Sequence, residues 1–387
     1  MCGIAGIFNF GNLHPVDGEA LKRMNGLLEH RGPDEEGFYL KGNIGMAMRR
    51  LSIIDLQSGR QPMGSDDGRI QLVFNGEIYN FQDLRKELIS QGFQFKTHSD
   101  TEVVLRLYER DGTDCVTKLH GMFAFSIWDG ARDRLMLARD RVGEKPLVYA
   151  FGKGRFAWAS EIRALLQAGD ISTEIDPQSI DLYLGLQYIP SPWTIYSSIR
   201  KLPPAHRLIL EKGNLRLERY WSLPSNPTPL LLSLDELKKN LREKITNCVK
   251  SRMGADVPLG AFLSGGLDST LVVGLMSQVS NRPVKTFSIG FEEKKYSELK
   301  YARLAADRFK TDHTEFLVKP QMADVLPQLA RQFGEPFGDS SALPTYFLAR
   351  ETKKHVTVAL TGDGGDENFA GYKRYSAMKA GQWLEPS

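Results

Sequence analysis

A chain of 387 residues is too long for one ordinary domain, and 41% hydrophobic with 25% charged residues describes a globular protein with two cores. A formal charge of +3 with no Lys/Arg block argues against nucleic acid as a partner, and no apolar run reaches bilayer length, which argues against a membrane. Cysteines at 2, 115 and 248 fit neither a disulfide framework nor a zinc spacing, and Met1–Phe8 lacks the basic region of a signal peptide, so a reducing cytoplasm is expected.

From Ile4 to about residue 160, short strands alternate with tight turns and a few helices. Ile4–Phe8 reads as a buried strand, and Asp17–Glu29 as a helix with Leu21, Met24 and Leu28 on one stripe. Arg31–Asp34 is a loop, and strands are expected at Gly37–Leu40, Ile44–Ala47 and Gln71–Phe74. Asn80 opens a helix that buries Phe81, Leu84 and Leu88. Ser99–Glu102 has capping-box spacing ahead of Val103, Val104 and Leu107. Met122–Trp128, Arg134–Arg139, Pro146–Ala150 and Arg155–Ala159 then alternate with Asp/Gly-rich turns, as an antiparallel meander does. Two antiparallel sheets with helices outside satisfy the whole series.

Residues 161–221 are transitional, broken by the prolines at 190, 192, 203 and 204. Ser222–Pro229 carries three prolines and reads as an extended connector. After it the pattern changes. Ser233–Glu236 is a second capping-box spacing, with Leu234, Leu237, Leu241, Ile245 and Val249 on one helical stripe. Strands at 257–263, Val284–Ile289, His313–Leu317 and Val356–Leu360 alternate with helices, one of them near Ser297–Phe309. That alternation predicts a parallel α/β sheet with ligands at the strands' carboxyl ends.

Three stretches carry chemistry. Ser264–Thr270, SGGLDST, sits between a strand and an apolar helix, so backbone N–H groups, hydroxyls and a helix N-terminus meet there as an anion cradle. It lacks the lysine of a Walker A loop. Its bland reading is a sharp turn with Ser264 or Asp268 as N-cap. Thr361–Glu367 places three carboxylates at a strand's carboxyl end, where Mg²⁺ would reconcile them with phosphate. Cys2 becomes N-terminal once the initiator Met is removed, and its α-amine, with a pKa near 7.7–8.0, can take the thiol proton. Cys115 and Cys248 read as inert core thiols.

Cys2–Gly6, Arg50–Asp55, Phe74–Asn80 and Ser99–Glu102 together resemble the class II glutamine amidotransferase domain. With SGGLDST, which resembles an ATP-pyrophosphatase loop, the chain is similar over nearly its whole length to the glutamine-hydrolysing asparagine synthetase family. The resemblance implies an α+β N-terminal-nucleophile four-layer sandwich of antiparallel sheets, followed by an α/β parallel-sheet ATP-pyrophosphatase domain. It implies that Cys2 attacks the side-chain amide of glutamine, with Asn75 and Gly76 as oxyanion hole. Arg50 would pair with the substrate α-carboxylate, and Asp100 with Glu77 would hold its α-ammonium. Leu263, Ser264, Gly265, Gly266, Asp268, Ser269, Thr270 and Thr361 would surround ATP, with Ile289 and Gly362 near adenine and ribose. Asp268 and Asp366 would bind Mg²⁺-pyrophosphate, and Asp363 stands where related sequences carry a carboxylate tied to synthesis. ATP would adenylate a carboxylate, most simply that of aspartate, and ammonia travelling inside the protein from Cys2 would displace AMP.

Two departures from the family pattern stand out. Asn368 and Ala370 occupy positions where related sequences more often carry Leu or Val and Gly. Family members also continue beyond the equivalent of Ser387 with a helical region that carries a catalytic lysine, so the second domain is expected to be incomplete. The expected partition is 2–221 for the glutaminase domain with its transitional segment, 222–232 for the linker and 233–387 for the synthetase domain. The residues leave the acceptor open between aspartate and another carboxylate such as a sugar acid. They also leave open a glutaminase half joined to a nucleotide-binding module that acts as a sensor. For assembly, a homodimer is the default.

Overall fold

The structure, a computed structural model, describes residues 1–225, 231–290, 298–318 and 322–381. Residues 226–230 of the expected connector, Ser297 and the last six residues lie outside them. Packing divides the chain into two units, Met1–Pro229 with Ala323–Ser340, and Leu230–Met322 with Ser341–Ser387.

In the first unit β1 (Gly3–Asn9) is buried along almost its whole length, so both of its faces are covered. It lies inside a sheet ordered β10 (Ile199–Lys201), β8 (Val148–Gly152), β9 (Arg155–Ala159), β1, β3 (Ile44–Arg50), β2 (Glu35–Lys41). A second sheet runs β12 (Asn214–Arg219), β11 (His206–Glu211), β7 (Arg134–Arg139), β6 (Gly121–Asp129), β5 (Ile70–Ile78), β4 (Met63–Gly64). Every ladder in both is antiparallel. Ile4, Phe8 and Met46 of one sheet meet Val73, Trp128 and Leu137 of the other in a shared core. Trp158 Nε1 bridges the sheets to Ser126 Oγ at 3.0 Å.

The outer faces are covered by helices. α1 (Gly18–Gly26) and α4 (Ile162–Leu165) pack on the first sheet, and α2 (Phe81–Ser90) and α3 (Asp100–Asp111) on the second. This is the four-layer sandwich expected. α5 (Pro177–Leu186) starts from an Asp176 cap.

The second unit holds a parallel sheet ordered β15 (Asp312–Leu317), β14 (Lys285–Gly290), β13 (Leu259–Phe262), β16 (Val358–Leu360). α6 (Leu234–Arg252), α7 (Leu267–Val279) and α8 (Leu299–Phe309) supply much of its core. α9 (Met322–Phe333) lies within the second half of the sequence, yet from Ala323 it packs with the first unit. The chain rejoins the second unit just before α10 (Ala342–Thr352).

Four local expectations change. Ser233 and Glu236 form a full capping box, but at α3 Ser99 Oγ caps Thr101, and Glu102 instead accepts Lys96 and Thr97 N–H groups and pairs with Arg106. Local loop amides simply reach that carboxylate first. Of the α6 stripe, Val249 is buried and Ile245 packs on the core, whereas Leu234 and Leu241 are exposed. Cys115 is buried, but Cys248 is exposed, on a face of α6 that the core does not reach. Gly266, not Ser264 or Asp268, is the N-cap of α7.

Candidate functional site

All six residues that the sequence singled out for glutamine, Cys2, Arg50, Asn75, Gly76, Glu77 and Asp100, line one pocket of the first unit. Cys2 stands at the head of β1, and its Sγ accepts the Leu51 N–H at 3.4 Å, just past the end of β3. Burial pushes its thiol pKa up, against the pull of the terminal ammonium, the Leu51 backbone, Arg50 and Arg31. A thiol so placed needs a local base to become a nucleophile.

Asn75 and Gly76 lie within β5 rather than in a hairpin turn. Asn75 is 1% exposed, and neither its amide nitrogen nor its amide oxygen has a hydrogen-bond partner. An unpaired buried amide costs about 1–3 kcal/mol per group, so this side chain is built for something that arrives from outside. It points to the inter-sheet side with Val73, where Cys2 also packs. Successive N–H groups of β5 alternate between its two edges. Those of Phe74 and Ile78 go to the Gln61 and Asp100 side chains, so the Gly76 N–H between them points the same way.

Arg50 is buried, not a surface cation. Its Nη1 meets Glu35 Oε2 at 3.1 Å, and its Nη2 donates to the carbonyls of Ile54 and Asp55 at 3.1 and 2.7 Å. Three of a guanidinium's five donors are thereby committed. Asp100 is the first residue of α3 and 4% exposed, and burial pushes its pKa up to about 6 although Ile78 N–H donates to it at 2.9 Å.

Sequence reasoning missed two contributors here. Lys145 lines the pocket and is buried, with burial pushing its pKa down and Glu77 pulling it up. Arg31, read only as part of a loop, donates from Nε to the Cys2 carbonyl at 2.9 Å. The only signal was a charged residue next to a turn, which is common in any loop.

In the second unit, Leu263, Ser264, Gly266, Asp268, Ser269 and Ile289 line one cavity with Thr361, Gly362, Asp363 and Asp366. Ser264 Oγ accepts the Gly266 N–H at 3.1 Å and lies 2.9 Å from Ser269 Oγ, which folds the turn around the N-terminus of α7. Gly265 and Thr270 do not line the cavity. Gly265 has φ +81° and lies so close to α8 that a Cβ would sit 2.4 Å from the Ala302 nitrogen, so it serves the turn. The acidic loop is pressed onto α7: a Cβ on Gly365 would sit 2.3 Å from the carboxyl carbon of Asp268. Glu298, Thr345 and Leu348 complete the wall. Glu367 instead accepts from Tyr372 Oη at 2.8 Å. Ala370, where related sequences more often have Gly, has φ +55°, the left-handed region that Gly tolerates best.

Whether this cavity suits Mg²⁺ follows from its donors. Among the described residues no group of three or more His, Cys, Asp or Glu side chains gathers to hold a metal. Asp268 and Asp366 alone would leave an octahedral cation to be completed by phosphate oxygens and water, the arrangement Mg²⁺ favours. The donor set therefore fits a nucleotide-borne ion. Among the described residues no helix is long and apolar enough to cross a membrane.

A family model described as "Glutamine amidotransferase domain" matches residues 1–221, and one described as "Asparagine synthase" matches residues 240–387. Asparagine synthetase [glutamine-hydrolyzing] 1 of Bacillus subtilis is 38% identical over 382 residues, 97% of this chain and 59% of its own length. Putative asparagine synthetase [glutamine-hydrolyzing] 2 of Methanocaldococcus jannaschii is 39% identical over 397 residues, 96% of this chain and 76% of its own length. The chain thus spans between 59% and 76% of the length of these two relatives.

Proposed function

Since this chain belongs to the family of glutamine-hydrolysing asparagine synthetases, we propose that it takes ammonia from glutamine at Cys2 and uses ATP to place it on the side-chain carboxylate of aspartate. The observation that carries the reading is the buried, unpartnered Asn75 amide in the same pocket as the Cys2 thiol.

Arg50 has donors left for the α-carboxylate of glutamine, in the forked geometry a guanidinium offers. Asp100, with Glu77 beside it, takes the α-ammonium. After Met1 is removed, the α-amine of Cys2 accepts the thiol proton and the sulfur adds to the side-chain carbonyl. Asn75 Nδ2 and the Gly76 N–H receive the oxyanion, a contribution of about 3–4 kcal/mol per donor in enzymes where it has been measured. The amine returns its proton to the departing ammonia, and water then frees glutamate.

In the second unit, the Ser264–Ser269 turn and the N-terminus of α7 receive phosphate oxygens, and Ile289 and Gly362 border the nucleoside. Asp268 and Asp366 would hold the Mg²⁺ that the nucleotide brings, which would offset phosphate charge. An aspartate carboxylate oxygen attacks the α-phosphorus as pyrophosphate leaves. Ammonia then forms the C–N bond as AMP leaves, with Asp363 lining the reacting end. A cytoplasmic location supplies ATP and glutamine and keeps Cys2 reduced.

The test reads both products. A full-length version, carrying the region that family members have beyond the equivalent of Ser387, should release pyrophosphate and AMP with aspartate when given glutamine, ATP, Mg²⁺ and a panel of carboxylates. Formation of ADP and phosphate would overturn adenylation, and turnover only with another carboxylate would overturn the acceptor. Cys2→Ala should abolish glutamine-dependent product and spare ammonia-dependent product. Loss of both together would overturn the division of labour.

A further inference from the structure

Once Met1 is removed, Cys2 has a peptide bond on one side only. Its thiol and amine are then aimed by whatever fixes its carbonyl. That carbonyl accepts Arg31 Nε at 2.9 Å. Arg31 is in turn held by Glu161, Nη1 to Oε1 at 2.9 Å, with both side chains 9% exposed.

Glu161 comes from the turn after β9, far from Arg31 in sequence. Its Oε1 is loaded three times. It accepts Arg31, it lies 2.9 Å from His30 Nε2, and it accepts Gln332 Nε2 at 2.9 Å. Gln332 also abuts His30 directly. Glu161 Oε2 and Arg31 Nη2, by contrast, are buried without partners. The pair is therefore single-legged and depends on its other neighbours for orientation, unlike a bidentate fork. The residue that completes the set, Gln332, sits near the end of α9, in the segment that packs with the first unit although its sequence neighbours belong to the second.

We infer that Glu161 is a positioning residue for the Cys2 nucleophile, acting through Arg31, and that Gln332 sets how firmly it does so. The inference rests on the glutaminase reading above. Glutamine itself is met by Arg50, Asn75, Gly76 and Asp100, none of which touches Glu161 in a described contact. Misaiming the nucleophile should therefore slow the chemical step and leave binding alone.

The experiment measures glutamine hydrolysis by the full chain in wild type, Glu161→Gln and Gln332→Leu. It adds the rate at which a diazoketone analogue of glutamine alkylates Cys2, and the melting temperature of each protein. Glu161→Gln should lower kcat roughly ten- to hundredfold, the range for an ångström-scale misplacement, with KM for glutamine nearly unchanged. Gln332→Leu keeps the buried Arg31–Glu161 pair, so it tests the link without leaving a charge unpaired; it should lower kcat by a smaller factor. Alkylation should slow in parallel in both. Wild-type kcat in Glu161→Gln would overturn the inference, and so would losses in both variants that track a lowered melting temperature. Wild-type kcat in Gln332→Leu would overturn the part assigned to α9. A wild-type protein that neither hydrolyses glutamine nor reacts with the analogue would refute the glutaminase reading instead.

Discussion

Replacing Asn75 by Ala separates function from stability with opposite signs. In the folded protein the Asn75 amide is 1% exposed and pairs with nothing, so it costs on the order of 1–3 kcal/mol per orphaned group. Truncation removes that cost and loses only the packing of a small side chain, so the two terms roughly cancel. Against this, removal of one oxyanion donor costs about 10²–10³ in kcat, or about 2.7–4 kcal/mol. The variant should hydrolyse glutamine a hundred- to a thousandfold more slowly while melting at the wild-type temperature or slightly above. Steady-state hydrolysis followed by glutamate release, with calorimetry on the same preparation, checks both halves. A kcat within about threefold of wild type would refute the oxyanion assignment. A fall in melting temperature of more than about 2–4 °C, the shift that 1 kcal/mol produces in a domain of this size, would refute the argument that the amide is held at a cost.

Two further outcomes follow from the same geometry. Burial raises the Asp100 pKa to about 6, above its unfolded value. The folded state thus holds that proton more tightly, and ionising Asp100 costs stability that is lost as pH rises from about 4 to about 6. The ammonium of glutamine needs the ionised form, so glutamine titrated into the Cys2→Ala protein should bind progressively more weakly below about pH 6. Asp100→Asn should remove that dependence, and an unchanged pH profile would show that Asp100 does not meet the ammonium. Gly365→Ala should push the Asp268 carboxylate out of place, since the new Cβ falls 2.3 Å from its carboxyl carbon. Exchange of pyrophosphate into ATP should then drop roughly ten- to hundredfold while glutamine hydrolysis persists; equal loss of both would point to misfolding.

Much of the site was legible because its residues announce themselves by type and local spacing. A cysteine after the initiator, Asn75-Gly76 near a strand end and Asp100 opening a helix are short-range patterns, and the fold brings them to one pocket. The strands were legible from alternation, although β5 extends through Ile78, since a strand buried on both faces loses its period. Pairings at long range were not legible. Nothing near Arg31 points to Glu161, 130 positions away, or to Gln332 beyond it. The exposed half of the α6 stripe misled for the same reason, because periodicity says which residues share a face and not whether a neighbour covers it. At Gly265 the sequence could not separate two demands, because a glycine required by φ and one required by a phosphate look alike in sequence.

The return of Ala323–Ser340 to the first unit has a consequence for how such a protein could be taken apart or recombined. A single cut at the proline-rich connector would hand the second piece a helix whose packing surface had left with the first. Swapping one half for a homologue's would likewise mismatch Gln332 with a foreign Glu161 and His30, or Glu335 with a foreign Lys201, now 2.5 Å from it. Residues 323–340 thus have to stay matched to the unit they pack with, although the sequence of the second unit runs on either side of them.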